Sequence, residues 1–246
     1  MSKALIQAGW DHAPHLDEVT KRELLDSYPA HERQARTEGK PVLGSGMVFP
    51  VEDEQISCDP FALPESWPRI VGLDFGWDHP AAAAWLAWDR DSDTIYVYDC
   101  IAWKQKTPAE QAPAIIGRNQ WIPVAWPHDG LQHDKGSGEQ LAQKYRDAGV
   151  NMLPERATFE DGTNGVEAGI MDMLERMQQG RWRVFKTCGL WFTEKRTYHR
   201  KDGLIAKIKD DVISASRYAS MMLRFAKTKP RGASTVTVRQ FGRGGY

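Results

Sequence analysis

From residue 69 onward the chain alternates short apolar runs with polar breaks, at strand length rather than helix length. Residues 70–75, 81–88 and 94–103 are rich in Ile, Val, Ala, Leu and aromatic residues, and Asp89-Arg90-Asp91-Ser92-Asp93 between the last two is a hairpin-forming turn. Three consecutive antiparallel strands are expected. Residues 108–119 follow as a helix, with Thr107 as N-cap and Pro108 in the first helical position. A fourth strand is predicted over 122–126 and a fifth over 150–153. Between them, residues 138–148 carry Leu141, Ala142 and Tyr145 at helical spacing, and Gly149 ends the run. In residues 164–179, Val166, Ile170, Met173, Leu174 and Met177 fall on one helical stripe. Residues 182–185 have the character of a short strand and 189–197 that of a helix. Lys201-Asp202-Gly203-Leu204 reads as a hairpin turn, and residues 211–225 as the last helix. This order predicts an α/β domain: a mixed five-stranded sheet, three antiparallel strands followed by parallel ones, with helices on both faces.

Residues 1–68 have a different texture. Residues 17–36 are helical in pattern, residues 39–46 are loop material, and Pro60, Pro64 and Pro68 punctuate an irregular stretch. The expected organisation is an appendage over 1–68, a main domain over 69–227, and a basic, mobile tail over 228–246. A hydrophobic fraction of 41%, a charged fraction of 26% and a formal net charge of −1 describe an ordinary globular chain, so any nucleic-acid surface must be a local patch. Cys58, Cys100 and Cys188 have no metal-ligand spacing and fit a reducing compartment. No apolar run reaches membrane-spanning length and no signal peptide opens the chain. Of the ten tryptophans, Trp85, Trp88, Trp103, Trp121 and Trp126 lie in or beside predicted strands, where packing competes with base stacking as their role.

Aspartates recur at the ends of these elements. Asp74 closes the first strand, Asp129 follows the fourth, and Asp210 and Asp211 open the last helix. Carboxylates are hard oxygen ligands. Brought together from two strand ends and a helix start, they suit a pair of divalent cations about 3.5–4 Å apart and thus phosphodiester hydrolysis. Each alone also has an ordinary use as a turn former or, for Asp211, a helix cap.

Gly72-Leu73-Asp74-Phe75-Gly76-Trp77-Asp78-His79-Pro80, Pro127-His128-Asp129-Gly130 and the run from Lys209 through Asp210-Asp211-Val212-Ile213-Ser214-Ala215-Ser216-Arg217-Tyr218-Ala219 resemble the nuclease domain of the large terminase subunit of tailed bacteriophages. The segments 11–16 and 39–50 are similar to the family's stretch between its ATPase and nuclease. The resemblance implies a ribonuclease H-like fold, and a Mg2+- or Mn2+-dependent endonuclease using two ions. It also implies that concatemeric double-stranded DNA is cut into genome units with little sequence preference, in the host bacterial cytoplasm. Its implied partners are a terminase ATPase domain, the small terminase subunit and the portal; the isolated domain is expected to be monomeric. Asp74 and Asp129 match the two strand ligands. Asp210 or Asp211 matches the helix ligand, with Asp211 favoured and Asp210 as support or alternate. Asp78 and His79 are candidate outer groups, with a turn role before Pro80 as the alternative. There is no Gly-x-x-x-x-Gly-Lys-Ser/Thr loop, so a nuclease part detached from its ATPase is expected, either as a fragment or as a separate gene product.

Lys195, Arg196, Arg200, Lys201, Lys207 and Lys209, just before the acidic pair, form a basic hairpin suited to a phosphate backbone, with Lys135 as a further candidate. His128 and His133 flank the second aspartate and read as loop residues before general bases. The rival readings are a junction resolvase or transposase of the same fold, an actin-like ATPase or sugar kinase, and a docking module that does not cut.

Overall fold

The computed structural model describes residues 9–13, 16–27, 37, 46–131, 140–201, 204–205 and 209–230. Its centre is the expected meander: β2 (Arg69–Asp74), β3 (Ala81–Asp89) and β4 (Thr94–Trp103), paired antiparallel. The turn between β3 and β4 is held by its own aspartates. Asp89 accepts from Ser92 Oγ at 2.6 Å, and Asp93, in a left-handed conformation, accepts from Trp88 Nε1 at 2.9 Å and from Arg176 and Arg181. α3 (Pro108–Ile116) begins with a reciprocal cap. Glu110 N–H donates to Thr107 Oγ1 at 3.4 Å, and Thr107 N–H donates to Glu110 Oε2 at 2.8 Å.

The sheet has six strands rather than five: with β1 (Ser57–Cys58), β5 (Val124–Ala125) and β6 (Trp182–Phe185), the order is β1-β6-β4-β3-β2-β5. β5 runs parallel to β2. Only the centre of the expected 122–126 strand pairs, because Pro123 and Pro127 on either side have no N–H to give. The fifth strand expected over 150–153 shrinks to a single parallel bridge, Val124 to Met152, because its partner is itself two residues long. The far side of the sheet makes up the number. β6 joins β4 in parallel, and β1 joins β6. β1 follows the short helix α2 (Asp53–Ile56), and Val48, Phe49, Val51 and Ile56 are buried in the same core as the sheet.

Helices cover both faces. On one, α7 (Asp211–Met221) lies against Gly72 of β2, whose cross-strand partner is Ala84. Small residues here let the helix backbone approach the sheet. On the other face, Val71 and its partner Trp85 alternate with them, and Arg118 at the end of α3 stacks over Trp85 at 4.7 Å. α4 (Leu141–Asp147), α5 (Val166–Gln178) and α6 (Gly189–Thr197) complete the layers, and β7 (Arg200–Lys201) with β8 (Leu204–Ile205) forms the expected hairpin. α1 (Glu18–Ser27) takes up part of the helix expected over 17–36; residues 28–36 lie outside the described residues. The strand tryptophans are core or partly covered, with Trp85 and Trp126 buried, so packing is what they do. Among the described residues no helix is long and apolar enough to cross a membrane.

Candidate active site

Two strand ends and one helix end deliver the acidic residues. Asp74 is the last residue of β2, and Asp129 lies in the 3-10 turn His128–Leu131 that follows β5. β5 pairs in parallel with β2 through Val71–Val124 and Gly72–Ala125, so both strands end on the same side of the sheet. α7 crosses β2 with Ala215 and Ala219 over Gly72, and Asp211, about one turn before Ala215, falls at the Asp74 end. Strand alternation turns Asp74 to the face that α7 covers, two residues on from Gly72.

These carboxylates act on one another. Burial pushes the Asp74 carboxyl well above the usual range, and the negative charges of Asp211, Asp210 and Asp129 push the same way; the buried Arg217 guanidinium on α7 opposes them. Asp211 is raised by burial and then by Asp210, with His79 pulling down. Tyr218 is pushed up to about 12, first by burial and then by Asp74. Gly169 of α5 makes room for Arg217, since a Cβ there would stand 2.7 Å from its Cγ and Cδ.

Glu194 of α6 explains how two adjacent aspartates can begin a helix without being spent on capping it. Asp210 occupies the N-cap position, yet its side chain makes no capping bond. Instead, the buried Glu194 Oε2 accepts from Val212 N–H at 2.8 Å and Ile213 N–H at 3.1 Å. This residue was missed in the sequence because its partners are 18 and 19 positions away and it sits within a basic run. Burial, followed by the charges of Asp211 and Asp210, pushes Glu194 up to about 8 from an ordinary 4.5. A raised carboxyl pKa favours the folded state while the group is protonated, so this contribution is complete below about pH 4.5 and is lost as pH rises through about 8. Glu194→Gln, which keeps an acceptor and cannot ionise, should flatten the fall in melting temperature across that window in chelator. Glu194→Ala should cost about 1–2 kcal/mol, the scale of a lost cap. A thermal-melt pH series that is identical in wild type and Glu194→Gln would overturn this role.

The basic candidates have diverse settings. Lys195 is buried, donating to Asp53 Oδ1 at 2.8 Å and to the Val51 carbonyl, and Arg196 Nε donates to Asp53 Oδ2 at 2.8 Å. These two residues tie α6 to α2. Arg200 forms a two-pronged pair with Glu167, at 2.8 and 2.6 Å. Lys209 is exposed and left-handed (φ 54°), immediately before the acidic pair. Lys201 lies in β7, but its side chain is outside the described residues, as are Lys135, Lys207 and His133. Asp78, His79 and His128 are exposed.

The donor set suits a hard divalent cation. It consists of oxygen ligands from three elements, whose mutual repulsion and desolvation a dication would offset. Among the described residues no three His, Cys, Asp or Glu side chains already stand close enough together to hold one.

A ribonuclease H-like sheet with aspartates at these strand ends and this helix start defines the class. Residues 71–223 match the family model described as the terminase RNaseH-like domain, and the chain belongs to that family. The large terminase subunit of Salmonella phage P22 is 46% identical over 216 residues, a match that covers 87% of this chain and 43% of that protein. That of Enterobacteria phage LP7 is 46% identical over 211 residues, covering 85% and 44%. The solved nuclease domain of the P22 large terminase aligns with a TM-score of 0.71 at 47% identity, covering 75% of this chain and 96% of that one. The chain spans less than half the length of the curated relatives it matches.

Proposed function

We propose that this chain is the nuclease part of a phage DNA-packaging terminase. It cuts concatemeric double-stranded DNA into genome units, with little sequence preference, in the host bacterial cytoplasm. What supports this reading is that Asp74, Asp129 and the Asp210–Asp211 pair stand at two strand ends and a helix start on one side of a terminase-family sheet. Asp74, Asp129 and Asp211 would hold Mg2+ or Mn2+, with Asp210 as support. Bound there, two such ions supply an activated water and stabilise the leaving oxygen. The protein's own part is positional. β2 and β5 carry two carboxylates, α7 carries the third, Glu194 rather than an aspartate caps α7, and Arg217 limits the repulsion around Asp74.

We assign the domain to residues from about 46 to 230, rather than from 69, because β1 and the buried residues Val48, Phe49, Val51 and Ile56 share its sheet and core. Phosphate contact is assigned to Lys209, Lys201, Lys207 and Lys135. Arg196 and Arg200 are weaker candidates because each already holds a carboxylate, Asp53 and Glu167 respectively. The ATPase domain, small subunit and portal are the proposed partners.

The test is cleavage of supercoiled plasmid. Nicking should require Mg2+ or Mn2+, stop in excess chelator, and fall more than about 100-fold in Asp129→Asn, beyond what loss of an outer-sphere partner does. Cleavage that proceeds in chelator would sink the metal assignment.

A further inference from the structure

A groove of about 750 Å³ opens beside the acidic site and shares Asp129 with it. It lies between the β2–β3 loop, the start of α3 and α4. Half-buried Phe75 lines it, 5.3 Å from the buried Tyr145 ring and tilted by 31° to it, and Trp77 lines it as well. Trp77 is 54% exposed, and none of the other nine tryptophans is classed as exposed. The floor is already satisfied. Tyr145 Oη donates to Gln111 Oε1 at 2.6 Å, and Gln111 Nε2 donates to the Lys106 carbonyl at 2.7 Å. The α3 N-terminus is closed by its Thr107–Glu110 cap, so it is not an anion site. Lys106 and Lys144 line the groove; Lys106 pairs with Glu110 at 2.7 Å, and Asp147 also lines it.

An exposed indole and a half-buried phenyl ring beside the slot, ammonium groups along it and the Asp129 carboxylate in its lining fit one occupant best: a nucleotide whose base has left the stack. A base inside a duplex cannot reach such a slot without unpairing. We propose that this groove receives an unstacked base of the strand being cut, next to the scissile phosphate, with Trp77 as its stacking platform. The domain therefore prefers DNA that is locally open. The inference rests on reading Asp74 and Asp129 as a DNA-cleaving site.

The test measures binding without chemistry. In chelator, the full chain is titrated onto 2-aminopurine-labelled duplexes of one length, fully paired or with a short central bubble. Wild type should bind the bubble about tenfold tighter, with a change in probe fluorescence, and Trp77→Ala should lose that preference, on the scale of one lost base stack. Trp77→Phe, which keeps a ring, should retain part of it. Trp77 is exposed, so the variants should melt like wild type. Equal affinity for the two DNAs, or an unchanged preference in Trp77→Ala, overturns the proposal. If the Trp77-dependent preference is present but no cleavage follows when Mn2+ is added, the nuclease reading fails and the groove stands; metal-dependent cleavage with no bubble preference has the opposite meaning.

Discussion

Asp74→Asn is expected to abolish metal-dependent plasmid cleavage, by at least about a thousandfold, while the metal-free protein becomes more resistant to heat. The two effects share one cause. Asp74 ends a buried strand under a helix, where burial and three neighbouring carboxylates all disfavour its charge. The ionised form therefore costs stability, which Arg217 offsets in part and a bound cation would offset further. An amide of the same shape removes the repulsion but loses the second anionic oxygen that a hard dication needs. Removing a centre of transition-state electrostatic stabilisation typically costs about 100- to 1000-fold, and loss of a carboxylate that would hold the metal belongs at or beyond that upper end. The stability gain is limited because Asn also forfeits the attraction of Arg217. A net of about 1 kcal/mol would raise Tm by about 2–4 °C in a chain of this size. Mn2+ should then raise the Tm of wild type more than that of the variant, because a ligand stabilises only the state that binds it. Plasmid gels and thermal melts with and without Mn2+ decide the matter. A variant that still cuts, or one that melts lower than wild type in chelator, would remove Asp74 from the role given to it.

What could be read from the chain beforehand divides along a physical line. The β2–β3–β4 meander, the Thr107 cap and the helix beginning at Asp211 are written in contiguous residues, as apolar runs, an aspartate-rich turn and a capping box. The positions of Asp74, Asp129 and Asp211 at element ends were legible for the same reason. Elements defined by a distant partner were not. Ser57 and Cys58 form a strand only because Val184 and Phe185 lie beside them, and nothing in a proline-rich stretch announces that pairing. Lys195 belongs to a basic run in sequence, yet it is buried against Asp53, 142 positions away. Glu194 escaped notice likewise: its use is to cap a helix other than its own. In the tryptophans, hydrophobicity alone could not separate nine covered rings from exposed Trp77.

Gly72→Ala, the smallest possible side-chain addition in the molecule, should be among the most damaging to stability. A Cβ at Gly72 would overlap the Ala215 carbonyl oxygen and stand 2.7 Å from the Ala215 carbonyl carbon and 3.0 Å from Ala219 N. All three are backbone atoms of α7, so no side chain can swing aside. The helix must lift from β2 or the strand must bend. Lifting opens the core beneath Val212, Ile213 and Ala219, all buried, and carries Asp210 and Asp211 away from Asp74. Overpacking typically costs about 1–3 kcal/mol and occasionally more, and a backbone-to-backbone clash belongs at the upper end. At about 3 kcal/mol, Tm should drop by about 6–12 °C for a chain of this length. Cleavage should fall even at temperatures where the variant remains folded, because the helix-borne aspartates would no longer stand at the Asp74 end of β2. Gly189→Ala is the control: a Cβ there meets nothing within 4 Å, and the change should stay within about 0.5 kcal/mol of wild type. Urea melts of the two variants, run beside Mn2+-dependent cleavage at low temperature, separate the outcomes. If Gly72→Ala unfolds at the wild-type midpoint and cuts at the wild-type rate, α7 does not rest on β2 as closely as described, and the proposed convergence of the three acidic positions loses its structural basis.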